Sequence, residues 1–367
     1  MAALDCFLIA DDLSGACDAA VHFAMRGRRT TVPIAPGAGL ADSTVVAIST
    51  DSRDLEPEAA RRLISAAASL PMGSPSILFK KIDSTLRGHT GVEIMAALTA
   101  FGFDAAVVCP AFPGMNRIVE AGHLRVVGAA DFAPVEVASH LRAQGVEGCA
   151  HIGREGISEA ISAGARIVVL DAVCDDDLDR IVAAALALDL RVLWAGSGGL
   201  ASALARTLPV GPQFGPRPTP KGPVLFCLGS DHRITVGQQS ALVGQRRALL
   251  VHAGLTSAEC IEAALGRGRH VVLRVPGGQV SAEWLKELVA GAPASAVVFS
   301  GGDTASLLCR AAGVQRIDLF AEIIPGVPCG VIRGGEFDGI SVATKSGGFG
   351  DPDALIQVAD YFTCVNQ

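Results

Sequence analysis

Short apolar runs recur along the chain, each closed by small or polar residues and followed by a stretch whose apolar positions repeat every three to four residues. The runs at 6–10, 30–35, 44–50, 76–82, 105–110, 166–172 and 191–195 predict strands. Between them, segments such as 57–70 and 176–188 carry good helix formers on a helix-period apolar face. Strand, helix, strand at this spacing predicts a mainly parallel sheet covered on both faces by helices, an α/β fold. The pattern breaks at 209–223, where six of the nineteen prolines cluster and neither a helix nor a central strand can continue. It then restarts, with strands expected at 224–228, 248–252, 270–275 and 296–300 and helices at 234–245, 281–290 and 303–313. The expectation is two α/β domains in series, 1–208 and 224–367, joined by a Pro-rich linker at 209–223, with the active site in the crevice between them.

Composition narrows the function classes. A length of 367 residues agrees with two domains at ~150 residues each. Half the residues are apolar and only 18% are charged, the profile of a packed globular chain. Thirty Lys and Arg against 37 Asp and Glu give a net charge of −7, and there is a single Tyr, so a nucleic-acid binder with a basic, ring-bearing face is not expected. The ten cysteines form no CxxC pair and no zinc spacing, and they read as small buried hydrophobes in a reducing compartment. No uncharged apolar stretch reaches the ~18 residues of a membrane span, and the first residues lack the basic start of a secretory signal. A cytoplasmic address is the expectation.

In an open parallel sheet, ligands bind beyond the carboxyl ends of the strands, so chemistry is sought just after each apolar run. After the first run stand Asp11, Asp12, Leu13, Ser14 and Gly15. One carboxylate can cap the following helix, which leaves the second without a capping use. The run 76–82 ends in Asp83-Ser84-Thr85-Leu86-Arg87-Gly88-His89, an inventory of carboxylate, hydroxyls and guanidinium suited to a polyhydroxylated anion. His89 reads as a neighbour of that cluster. A third run ends in Cys109-Pro110-Ala111-Phe112-Pro113-Gly114, a rigid loop that delivers Asn116 and Arg117. In the second half, Ser300-Gly301-Gly302-Asp303-Thr304 places bare amides at a helix start, where a phosphate is welcome. Lys345-Ser346-Gly347-Gly348-Phe349-Gly350 adds a glycine-dense loop with a lysine, and Leu228-Gly229-Ser230 closes the first strand after the linker. None of these matches the P-loop or dinucleotide fingerprint.

Taken in order, these blocks, together with Pro325-Gly326-Val327-Pro328, resemble the four-carbon acid sugar kinase family, and they span residues 10 to 350. The resemblance implies an N-terminal domain for the sugar acid, a C-terminal domain for ATP with Mg²⁺, and phosphorylation of threonate, erythronate or 3-oxo-tetronate. It carries Asp11, Asp12, Asp83, Ser84 and Arg87 to the substrate pocket, which Asn116 and Arg117 also face. It carries Ser230, Gly301, Gly302, Asp303, Thr304, Lys345, Ser346, Gly347, Gly348 and Gly350 to the nucleotide. Arg87 is expected on the substrate carboxylate, Asp83 and Ser84 on its hydroxyls, Asp12 as base with Asp11 second, and Lys345 with the Gly301 and Gly302 amides on phosphates. Metal ligands are not assigned. The chain departs from the usual pattern at His89, Asp231-His232-Arg233, Asp303, Cys329 and Gly348. Two alternatives stay open: a non-catalytic sensor of sugar acid and nucleotide on a degenerate kinase, and an NAD- or phosphosugar-using α/β enzyme. The partners expected are small molecules, with a homo-oligomer allowed.

Overall fold

The computed structural model describes residues 4–35, 37–38, 42–153, 156–212, 222–275, 284, 288 and 293–363. Its first strand, Cys6–Ala10, is buried along its whole length and lies between Val45–Ser49 and Ile77–Lys81, parallel to both. Outward from there on one side run Val192–Gly196, Ala105–Cys109, Ile167–Val169 and Cys149–His151, and on the other Thr30–Pro33, all parallel. In the second half Val224–Leu228 lies between Val271–Arg274 and Ala296–Ser300, with Leu249–His252 outside the former and Ser341–Lys345 outside the latter, again all parallel. In each half the chain moves first to one side of its initial strand and then to the other. Two topological switch points result, one between Cys6–Ala10 and Ile77–Lys81, the other between Val224–Leu228 and Ala296–Ser300. The loops that leave these four strands carry Asp11 and Asp12, Asp83 to Arg87, Ser230, and Gly301 to Thr304.

The α/β expectation holds, with one correction: the halves do not own separate sheets. Strands Arg316–Ile324 and Val327–Arg333 form an antiparallel hairpin whose turn is Pro325-Gly326. Val327–Arg333 pairs with Ser341–Lys345, and Arg316–Ile324 pairs antiparallel with Thr30–Pro33, Ile317 opposite Val32. One sheet of fifteen strands therefore crosses both halves. The hairpin is legible only as the alternation Ile317, Leu319 against Asp318 in the sequence, a period-two signal of a different kind from the solid runs around it.

Of the expected helices, 57–70 is Pro57–Ala67, 176–188 is Asp175–Leu186, 234–245 is Arg233–Arg246 and 303–313 is Gly302–Ala311. Most of 281–290 and of the 209–223 linker lies outside the described residues. A small antiparallel sheet not foreseen in the sequence, Arg117–Glu120, His123–Val126 and Val135–Glu136, projects from the loop after the Ala105–Cys109 strand. The cysteine expectation needs a second correction. Six of the nine described cysteines are buried, but Cys174 and Cys260 are exposed because they sit at or near helix starts rather than in strands. Among the described residues no helix is long and apolar enough to cross a membrane.

Candidate active site

The helix Leu13–Met25 is buried over nearly its whole length, and it packs on Gly198–Thr207 and against the bridging strand Arg316–Ile324. Its N-cap is Asp12, whose Oδ1 accepts from the Gly15 amide at 2.7 Å. So the bland role of Asp12 is real. It is also not the whole role, because Oδ2 accepts from Arg53 Nη1 at 2.6 Å and the carboxylate faces the other half of the molecule. A Cβ built on Gly302 would stand 2.7 Å from Asp12 Cγ, so only glycine fits where the second half closes on this carboxylate. The adjacent Gly301 has φ +105°, a left-handed conformation that a side chain disfavours.

Asp11 points elsewhere. Its carboxylate is held by Arg53 Nε at 2.8 Å and Nη2 at 2.9 Å, and it lines none of the cavities described below. Burial pushes Asp11 upward, but Arg53 and then Lys80 outweigh it and hold the acid below its ordinary range. As an alternative base Asp11 is set apart from Asp12 by its absence from those cavities and not by its hydrogen bonds, since both oxygens of Asp12 are engaged as well. Asp83 is similarly committed: Oδ1 accepts from Thr85 N, Thr85 Oγ1 and Arg87 Nε at 2.9, 2.5 and 3.1 Å, and Oδ2 from Arg87 Nη2 at 2.6 Å. Against the upward push of burial, Arg87 and Arg53 keep it well below the usual carboxylate range. Asp83 thus builds the turn and places Arg87, and it lines the same cavity as Ser84 and Arg87. Arg87 stays more than half exposed at its side chain, 60%, with Ser84 beside it.

Three cavities meet around these groups. One of about 180 Å³ is lined by residues that include Asp12, Lys81, Asp83, Ser84, Arg87 and Arg117. A second of about 340 Å³ is lined from the other half by Ser230, Gly301, Gly302, Asp303, Thr304 and Gly347 among others. Asp12, Arg53, Arg87, His232, Ser346 and Gly348 line both. A third, about 520 Å³, adjoins the first through Thr85, Arg117, Phe132, His232 and Gly348, and takes in Asn116 and Gly350. His89 lies apart from all three, with Nε2 2.5 Å from the Leu55 carbonyl.

The lysine of the glycine-dense loop behaves differently from its expectation. Lys345 Nζ is buried and donates to the carbonyls of Ser346 and Phe349 at 2.9 and 3.1 Å, and it lines none of these cavities. Burial lowers its pKa to about 7. It staples the 345–350 loop from beneath, while Ser346, Gly347 and Gly348 line the cavity. The loop is held from the other half too: Arg117 Nη2 donates to the Gly348 carbonyl at 3.1 Å, its guanidinium lies 5.0 Å from the Phe349 ring centroid, and Phe112 meets that ring edge-on.

Sequence reasoning missed Arg53, Lys81 and His232. Arg53 follows the strand Val45–Ser49, and the strand-end rule applied to that run would have found it. Its loop reads as solvated charge, Asp51-Ser52-Arg53-Asp54, but in the fold Asp51 Oδ2 accepts from Ser306 Oγ and Arg310 Nη2, both at 2.6 Å, across the two halves. Desolvation, with Arg87 and Lys345 nearby, lowers the pKa of His232.

Two family models match the chain, a sugar-binding N-terminal domain over residues 6–204 and a nucleotide-binding C-terminal domain over 232–355. A D-threonate kinase of Bordetella bronchiseptica is 33% identical, with 96% of each chain covered. A D-erythronate kinase of Heliobacterium modesticaldum is 31% identical, also with 96% of each chain covered. A crystal structure from Salmonella typhimurium LT2 matches with a TM-score of 0.74 at 22% identity, covering 96% of this chain and 98% of that one, a likeness of fold.

Proposed function

We propose, on the premise that the chain belongs to the four-carbon acid sugar kinase family, that it transfers the terminal phosphoryl group of ATP to the terminal hydroxyl of a four-carbon sugar acid. The observation that carries this reading is the wall common to the two smaller cavities. The acid pocket of the first half and the amide-lined pocket of the second meet at Asp12. A kinase needs that arrangement, because its catalysis is chiefly the alignment of acceptor, donor and charge.

Arg87 and Arg117 supply positive charge for the acid's carboxylate, and Ser84 contacts its hydroxyls. Asp12, fixed by the Gly15 amide and Arg53, receives the acceptor's proton. The amides at Gly301, Gly302 and the 346–348 loop take the phosphates, with Ser230 and Thr304 beside them. Magnesium suits this site as a companion of the nucleotide. Among the described residues no group of three His, Cys, Asp or Glu is placed to hold a metal alone. Asp303, however, makes no ion pair among the described residues, and burial and then its neighbours Asp12 and Asp54 raise its pKa. One or two carboxylates plus phosphate oxygens are the usual ligands of this ion, so Asp303 and Asp54 would hold it. There it would neutralise phosphate charge.

The test is ADP release, followed by a coupled assay with MgATP and a panel of D- and L-threonate, D-erythronate and 3-oxo-tetronates. Turnover with at least one acid is expected. Absence of turnover across the panel would reject the reading.

A further inference from the structure

We propose that Arg53 is a further catalytic residue, one that contacts the transferring phosphoryl group directly while it aligns the base. The proposal rests on the kinase reading above and adds a role that neither the motifs nor the relatives' names assign. Phosphoryl transfer takes place where donor and acceptor meet, which here is the wall that belongs to both smaller cavities. Among the described residues only two arginines stand in that wall, Arg53 and Arg87. They differ in preparation. Arg87 is a mostly exposed side chain on a turn, whereas Arg53 has a side-chain exposure of 15% and is gripped on two sides. Its Nε and Nη2 bond the two oxygens of Asp11, and its Nη1 bonds Asp12 Oδ2.

Those contacts use three of the five N–H bonds of a guanidinium. The nearest further carboxylate oxygen, Asp83 Oδ2, is 3.8 Å from Nη2, beyond hydrogen-bond reach. Among the described residues the other two N–H bonds, both on terminal nitrogens of a guanidinium that lines the cavity wall, have no partner and can donate to phosphoryl oxygens. The loop that carries Arg53 is fixed from below and from across. Ser52 Oγ donates to Glu93 at 2.5 Å, and Glu93 is paired with buried Lys80 at 2.8 Å. Asp51 meanwhile ties the loop to Ser306 and Arg310 on the helix that begins at the phosphate-facing Gly302. Asp11, which takes no proton in the step, makes two of the three hydrogen bonds that hold this cation, and a cation already in place needs little reorganisation when charge develops, which is the condition for strong electrostatic stabilisation.

The acceptor oxygen forms a bond to the terminal phosphorus as the bond from phosphorus to the bridging oxygen breaks. That electron pair leaves with ADP, and the acceptor's proton passes to Asp12. Arg53 meets the charge spread over the equatorial oxygens and exchanges no proton.

The experiment compares wild type, Asp11→Asn and the double variant Arg53→Ala/Asp11→Asn, since removing Arg53 alone would strand the buried Asp11 charge. Thermal melting first establishes that both variants are folded, and kcat and both KM values are then measured with the best acid of the panel. The double variant is expected to lose about 10²–10³-fold in kcat relative to Asp11→Asn, with either KM changed by less than about threefold, and to regain part of that loss on addition of free guanidinium ion. A kcat within about tenfold of Asp11→Asn, or a loss confined to KM, would overturn the proposal. An inactive wild type would instead reject the kinase reading, so the two failures are distinguishable.

Discussion

The two strand-end clusters that face each other across the site are built by opposite means. In the first half the cavity is walled by charged and hydroxyl side chains, Asp12, Ser84, Arg87 and Arg117 among them, with Asp11, Asp83 and Arg53 locking one another in place. In the second half the wall is rich in glycine. Gly229, Gly302 and Gly347 each leave no room for a Cβ, and the one lysine of the loop is spent beneath it. A side chain at Gly229 would stand 2.8 Å from the Thr304 Cβ, and one at Gly347 2.9 Å from the Ser230 Cβ. On the proposed function, the difference matches the chemistry of the two ligands. A small hydroxy acid differs from its isomers in where hydroxyls and a carboxylate point, so specific side chains must read it. A phosphate chain is uniform and heavily charged, and amides at a helix start bind it without being specific for anything beyond it.

The comparison can be broken at three points. The largest effect is expected at Asp12, where both halves meet. Asp12→Asn keeps an oxygen for the Gly15 amide but removes the base, and kcat should fall by about 10²–10⁴-fold, read from initial rates of ADP release. Retention of full turnover would transfer the base role elsewhere. Next is Gly302→Ala. The added methyl meets Asp12 and costs about 1–3 kcal/mol of stability as overpacking, with KM for ATP raised roughly tenfold and KM for the acid less affected. Equal changes in both KM values would show that the halves do not divide their labour as described.

The smallest effect lies on the hairpin that bridges the halves. Glu322 accepts from the Gly326 amide at 2.8 Å, and burial raises its pKa from 4.5 to about 7. A carboxyl with a raised folded-state pKa binds more protons folded than unfolded between those values. Stability from this group is therefore fully present below about pH 4.5 and lost as the pH rises towards 7. Glu322→Gln keeps the acceptor and removes the charge, so denaturant melts should show the variant more stable than wild type by about 1–2 kcal/mol at pH 8 and equal to it at pH 4. A constant offset at both values would assign the effect to packing.

What the chain made legible, and what it hid, divides along the same line. Buried strands announce themselves as apolar runs, and the residues that end them, Asp12, Ser84, Arg87, Ser230 and Gly301 to Thr304, can be named from position alone. Direction cannot. Nothing local distinguishes a carboxylate that faces a cavity, Asp12, from its neighbour turned onto an arginine, Asp11, because the partner lies 42 residues away. Lys345 in a glycine-dense loop looks like a phosphate ligand until the loop's carbonyls are seen to fold beneath and around it. Arg53 was hidden by composition, since a run of alternating charge reads as surface until Glu93 and Ser306 are brought to it from distant segments.

The pairing of Arg316–Ile324 with Thr30–Pro33 has a consequence for anyone who would take the protein apart. The proline cluster at 209–223 invites a cut there into two separately produced pieces. Each piece would then bare a strand that is interior in the whole chain, with a row of unpaired N–H and C=O groups. Such an edge is a template for another chain. Together the pieces would find each other by rebuilding the missing ladder. Alone, either would be driven toward self-association.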